Sequence, residues 1–253
     1  MSTTASSLAT TLIAVAVLIA ITLGIVLALR LENPWLQPWA ILRAVIQLGI
    51  LSVILSGIIH DPVLVAAFLA VMLSAAVWTI CRRLRLSWAV VPAIAGITLV
   101  AAAIPVVLVF AIGAVDASPR YVLAVGGIVI GNAMTVSTLM GRNLGSLVVL
   151  RRDELEAWLS LGATPRRSAI PLVRSAASTA LIPTTDQTRT TGLVTLPGAF
   201  VGSIFAGASP LVAAQFQIIV LAAILATSAL AVAGLGLLFG APKLIPLDQR
   251  PLG

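Results

Sequence analysis

The chain has 253 residues, 60% apolar and 9% charged, with a formal net charge of +7 and a mean hydropathy of +1.16. A soluble domain carries about 25% charged residues, so these charges are too few to cover a water-facing surface. The same apolar content excludes a disordered chain, and the single cysteine, Cys81, excludes an internal disulfide and a cysteine-built zinc or iron–sulfur centre.

A helix needs about 20 residues to cross a hydrocarbon core about 30 Å thick. Runs of that kind fall at 8–29, 41–59, 62–80, 90–112, 121–139, 182–206 and 211–239. They are continuous Leu, Ile, Val and Ala, whereas barrel strands would alternate in polarity over about 10 residues. The expected fold is all-α: one polytopic membrane domain over 1–253 with about seven transmembrane helices.

Lys and Arg accumulate in cytoplasmic connections. Arg30 and Arg43 bracket the first connection. Arg82, Arg83 and Arg85 crowd the third, and Arg142, Arg151, Arg152, Arg166, Arg167 and Arg174 fill the fifth. Lys243 and Arg250 lie in the tail, and Arg120 stands alone on the other side. This predicts an N-terminus outside and a C-terminus in the cytoplasm of the cell (inner) membrane. Residues 1–7 lack the basic start of a cleaved signal, so the first span is expected to remain as an anchor. Trp35, Trp39 and Trp88 sit at span ends, where indoles prefer the headgroup layer. Because every basic cluster adjoins a span, the positive charge reports topology, and no nucleic-acid partner is expected.

The cytoplasmic segment 140–181 holds three of the eight acidic residues. Asp153, Glu154 and Glu156 occupy the first turn of an expected helix, where carboxylates offset the positive end of the helix dipole. Leu155, Trp158 and Leu159 recur at i, i+3 and i+4, giving a narrow apolar stripe among charges. Gly162 stands where a left-handed residue would end that helix. Thr164 and Pro165 read as the cap and first residue of a second helix, which Pro171 and Pro183 would bend or interrupt. Arg166 and Arg167 fall in its first turn, where the dipole disfavours them. The stripe suits either docking to a partner's groove or lying in the headgroup plane.

Ionisable groups inside a bilayer cost up to about 3 kcal/mol each and so face the bundle interior or a watery path. Arg43 and Gln47 share a helix face; Arg43 can snorkel, and Gln47 can bond between helices or line a path. Asn132 and Met134, beside Gly126, Gly127 and Gly131, serve either close packing or a substrate path. Asp186 and Arg189, three apart in the polar run 184–191, can neutralise each other along one helix face, and the run reads either as a translocation pathway or gate or as a structural ion pair near the cytoplasmic interface. Gln215 and Gln217 face different sides of the last span, so at most one lines a path. His60 and Asp61 read as an outer turn before Pro62. No His, Cys or carboxylate cluster identifies a metal site.

The only lysine, Lys243, follows Ala241 and Pro242, so no Walker loop is present, nor a nucleophile elbow or zinc-binding histidine pair. The chain is expected to be no enzyme and to bind no cofactor itself.

Glu156-Ala157 followed by Gly162-Ala163-Thr164-Pro165 resembles the docking loop of ABC-transporter permeases. Arg43 to Leu48, Gly131 to Met134, Glu154 to Ala157 with Leu161 to Pro165, Gly192 to Gly198 and Phe216 to Ile218 together resemble the Fet-type iron-export permeases of bacteria, to which plant aluminium-tolerance permeases are related. That resemblance implies a permease working as a homodimer with a separate cytoplasmic ATPase that binds ATP, exporting a metal such as iron. It implies that Asp153, Glu154, Leu155, Glu156, Trp158, Leu159, Gly162 and Arg166 meet the ATPase. Candidate pathway residues are Gln47, Asn132, Met134, Asp186, Arg189 and Gln217. The family pattern has methionines and an asparagine around 183–202, where this chain carries Thr184, Thr185, Asp186 and Gln187. An ion-driven secondary carrier or a membrane-integral structural protein, with no ATPase partner, is the alternative, although no repeat of the kind common in such carriers relates the two halves.

Overall fold

The computed structural model describes residues 2–30 and 32–240, with side chains from Thr10 onward. Lys243 and Arg250 therefore lie outside the described residues. Backbone contacts divide the chain into two units, one ending at Ile59 and one beginning at His60.

The first unit is a pair of packed helices, α1 (Ser2–Ala28) and α2 (Leu36–Ile58). Arg30, at φ 50, takes the left-handed conformation that ends α1, and Pro34 lies just before α2. No side chain of α2 is buried. Its exposed Ile46, Leu48 and Val53 suit a helix solvated by lipid.

The second unit contains α3 (Pro62–Arg83), a single 3-10 turn at Trp88–Val90, α4 (Val91–Ala111), α5 (Pro119–Leu150), α6 (Arg152–Ser160), α7 (Pro165–Thr190), α8 (Gly198–Phe205) and α9 (Pro210–Phe239). Several helices begin with one device, an oxygen-bearing cap followed by proline. Asp61 accepts from the Val63 and Leu64 N–H groups, Thr164 from Arg167 N–H and Ser209 from Val212 N–H. The proline at each first helical position has no N–H to leave orphaned.

α5 is the axis of this unit and packs against α3, α4, α7 and α9. Its small residues make the close approaches. A Cβ on Gly126 would lie 3.0 Å from Leu69 Cδ2, and one on Gly234 of α9 would lie 2.6 Å from Ile97 Cγ2 of α4. One core cluster gathers Ile80, Ile94, Met140, Leu144, Leu155, Leu172 and Leu235. A second gathers Ala102, Val125, Val129, Val220 and Ala223. Val71, Leu99 and Val107 stay exposed on the outer faces of α3 and α4.

The chain is thus an all-α, multi-pass membrane protein. Six helices among the described residues are long and apolar enough to cross a membrane: α1, α2, α3, the stretch Trp88–Ala111, α5 and α9. The structure corrects the expected span at 182–206. Its first part is the end of α7, residues 191–197 form a non-helical connection, and α8 is only eight residues long. Gly192, at φ 86, and Pro197 are the reason, because neither suits continuation of a helix. The polar segment 140–181 is likewise redistributed. α5 runs on through Leu150, α6 is the short helix, and α7 starts at Pro165. Pro171 and Pro183 do not interrupt α7. Both are exposed, so neither ring disturbs the packed core, and the helix absorbs at each the lost hydrogen bond and the crowding of the carbonyl four residues back.

Candidate functional site

α6 joins the end of α5 to the start of α7 and packs on both. Leu155, 6% exposed, is its one buried residue and belongs to the cluster containing Val148, Ala169 and Leu172. The expected apolar stripe is therefore divided: Leu155 anchors the helix, while Trp158 (45% exposed) and Leu159 face outward. Leu150 and Leu161 extend this exposed apolar surface; Leu161 is 82% exposed. Sequence periodicity missed these two because both lie outside the helix's own repeat.

Gly162, at φ 84, closes α6 as expected. Its N–H donates to Leu159 O and that of Ala163 to Trp158 O, each at 3.0 Å, the paired bonds of a Schellman motif. The acidic side chains are arranged by neighbouring arginines. Glu156 Oε1 accepts from Arg152 Nε at 2.6 Å, and Glu154 Oε2 lies 3.6 Å from an Arg151 terminal nitrogen. The hydrogen bond to Glu156, and then its charge, push the Arg152 guanidinium above its ordinary pKa. All these groups are solvent-exposed, so the pairs fix side-chain directions more than they stabilise the fold. Asp153 and Arg166 are exposed and form no ion pair among the described residues.

The candidate pathway residues separate into three places. Asn132 joins α5 to α9: its Nδ2 donates to Ser228 Oγ at 2.8 Å and to Ile224 O at 3.2 Å, and Ser228 Oγ donates in turn to Ile224 O at 2.8 Å. Met134 packs against both core clusters. Gln217 is 6% exposed, and its Oε1, like Ser137 Oγ and Thr227 Oγ1, has no hydrogen-bond partner among the described residues. Gln215 is exposed, so these two glutamines do face different environments. Asp186 and Arg189 are both exposed on α7. The ion pair that their spacing allows is not formed: the ion pairs among the described residues are Arg151–Glu154 and Arg152–Glu156. Gln47, exposed on α2, belongs to the first unit.

Sequence reasoning missed Ser228 and Thr227, because a serine or threonine in an apolar run normally bonds its own helix. Among the described residues no group of three His, Cys, Asp or Glu side chains could hold a metal ion.

Asn132 thus joins two central helices, and its replacement by alanine has a definite expected result. Asn132→Ala should destabilise the protein in detergent by about 1 kcal/mol, the range of interhelical hydrogen bonds in membranes. Thermal unfolding followed by loss of monodisperse protein checks it; an unchanged midpoint would mean that the bond does no structural work.

The sequence model of an uncharacterised protein family, UPF0014, matches residues 9–241. The chain belongs to UPF0014. The matched region takes in α6 and the polar positions of α5, α7 and α9, so both candidate sites lie within the UPF0014 match. The UPF0014 membrane protein YjkA of Bacillus subtilis is 34% identical over 185 residues, 72% of each chain. The probable iron export permease protein FetB of Escherichia coli is 39% identical over 131 residues, 52% of this chain and 51% of its own. The protein ALUMINUM SENSITIVE 3 of Arabidopsis thaliana is 41% identical over 104 residues, 41% of this chain and 38% of its own. No solved structure matches the chain.

Proposed function

We propose that the chain is the membrane-spanning subunit of an ABC-type transporter, working as a homodimer that exports a metal ion such as iron. Membership of UPF0014, six apolar helices and likeness to FetB fit a permease subunit of such a transporter. Power comes from a separate ATPase on the cytoplasmic side, since this sequence lacks a phosphate-cradling loop.

The observation that carries the reading is α6. It is a nine-residue helix with one side chain, Leu155, buried in the body and Trp158 and Leu159 directed outward, with exposed Leu161 just beyond its end. A groove on an ATPase would take Trp158, Leu159 and Leu161 as apolar anchors, with Asp153, Glu154 and Glu156 setting register at the rim. ATP-driven closure of the ATPase pair would push on α6. Leu155 and the direct run of α5 into α6 would pass that movement to α5 and α7.

Glu156→Arg combined with Trp158→Ala should abolish co-purification of the ATPase in mild detergent, while the permease still inserts into membranes. Hot-spot losses of this kind reach about 2 kcal/mol or more per anchor. Undiminished co-purification would overturn the docking assignment.

A further inference from the structure

α7 has two unlike faces. Ala169, Leu172, Ala176, Ala180 and Thr184 are buried along one of them, where α7 packs on α5 and α9. Arg174, Ser178, Ile182, Asp186 and Arg189, spaced four, four, four and three, form an exposed stripe along another. The apolar positions that would suit lipid are nearly absent from that stripe.

Depth makes the stripe significant. A Cβ on Gly236 of α9 would meet Val173, and the connection through α8 brings the chain from the end of α7 to the start of α9, so the two helices run in opposite directions. Asp186 is thirteen residues beyond Val173, about 20 Å at 1.5 Å per residue. The same distance back along α9 from Gly236 reaches its middle, within a candidate membrane span. Asp186, Gln187 and Arg189 thus sit alongside the apolar core of α5 and α9. Charges at that depth cannot be left to hydrocarbon and take a partner or a watery path.

No carboxylate or arginine within the described residues pairs with either charge, and α8 carries no charge at all. We infer that α7 of one copy meets α7 of a second copy across a two-fold axis, with Asp186 of each pairing with Arg189 of the other. This rests on the homodimeric transporter reading above. A two-fold contact is self-complementary: if residue i meets residue j, then j meets i. The end of the stripe that carries Asp186 and Arg189, one acid and one base a turn apart, is its own complement. The three-residue offset is about 4.5 Å along the axis, well within the reach of an arginine side chain. Between the charges and the start of α7, Ser178 and its neighbour Thr179 are small enough to let two helix backbones approach closely.

The test uses the full-length chain carrying two different tags, co-expressed and captured from mild detergent. Wild-type copies capture one another. Asp186→Arg alone and Arg189→Asp alone reduce that capture about tenfold or more, the range expected when one partner of a desolvated pair is lost. Co-expressing one Asp186→Arg copy with one Arg189→Asp copy restores capture, because each then faces the opposite charge at both pairings. The double substitution in a single chain also restores it and shows that the reversed charges still fold. Rescue in the double chain but not between the two single variants would overturn the inference in favour of a pair within one copy. Single variants that associate like wild type would overturn it as well and leave the dimer standing. Wild-type copies that fail to capture one another would overturn the dimeric reading itself. As a second measurement, Ser178→Cys in a Cys81→Ala background should give an oxidant-dependent cross-linked dimer. Absence of that band would place α7 away from the axis.

Discussion

Replacing Leu155 with aspartate is expected to release α6 from the membrane body while leaving the spans in place. Leu155 is the single buried side chain of a nine-residue helix. A helix that short is marginal in water without packing, since nucleation is costly and fewer than about 12 residues seldom sustain it. Truncating a buried leucine costs about 2–5 kcal/mol, and a carboxylate in its place must also be desolvated. The Arg151–Glu154 and Arg152–Glu156 pairs are exposed and worth about 0–1 kcal/mol each, so they cannot hold the helix in position. Brief trypsin treatment of inside-out vesicles should cut Leu155→Asp at Arg151 or Arg152 at least tenfold faster than wild type. Cleavage elsewhere should be unaltered. Under the proposed function, ATP-driven transport falls to background even where an ATPase still binds Trp158 and Leu161. Equal cleavage rates would show that α6 is held by something other than this side chain.

The contrast between Leu155 and Trp158 shows what the sequence could and could not disclose. Periodicity placed both on one stripe and the helix between Asp153 and Gly162, close to the observed Arg152–Ser160. Thr164, Pro165 and Gly162 were legible because each acts through local backbone chemistry, a cap, a preset φ and a left-handed stop. Which member of the stripe turns inward depends on α5 and α7, and local pattern does not contain it. The same limit explains α7. A window of apolar residues groups 182–206 into one span, yet the helix ends at Thr190 and its charges lie on a single face. The polar run stays helical because its hydroxyls bond the chain itself: Thr188 donates to Thr184 O, Thr190 to Asp186 O and Thr191 to Gln187 O. Asn132 stood open between packing and pathway, and only the position of Ser228, 96 residues further on, decides its bonds.

Enlarging Gly234 is expected to separate α4 from α9. This glycine sits within the last two turns of an otherwise regular helix at φ below zero, so its value is space and not conformational freedom. A Cβ there would lie 2.6 Å from Ile97 Cγ2, 3.2 Å from Cγ1 and 3.4 Å from Cβ, meeting a whole branched side chain instead of a flexible tip. Ile97 has one strongly preferred rotamer in a helix, so it cannot swing aside. The helices themselves must move, and interiors packed near crystal density resist that movement. Gly234→Ala should therefore cost about 1–3 kcal/mol, the range for overpacked cores, and Gly234→Leu more. Ile97→Ala in the same chain should recover most of the loss for Gly234→Ala, since it removes Cγ2 and Cγ1, the two nearest atoms, and leaves only Cβ at 3.4 Å, with both backbones untouched. Thermal midpoints of the four proteins in one detergent form a double-mutant cycle. Additive effects, with no recovery in the double variant, would show that the clash at Ile97 is not what makes glycine necessary at this crossing.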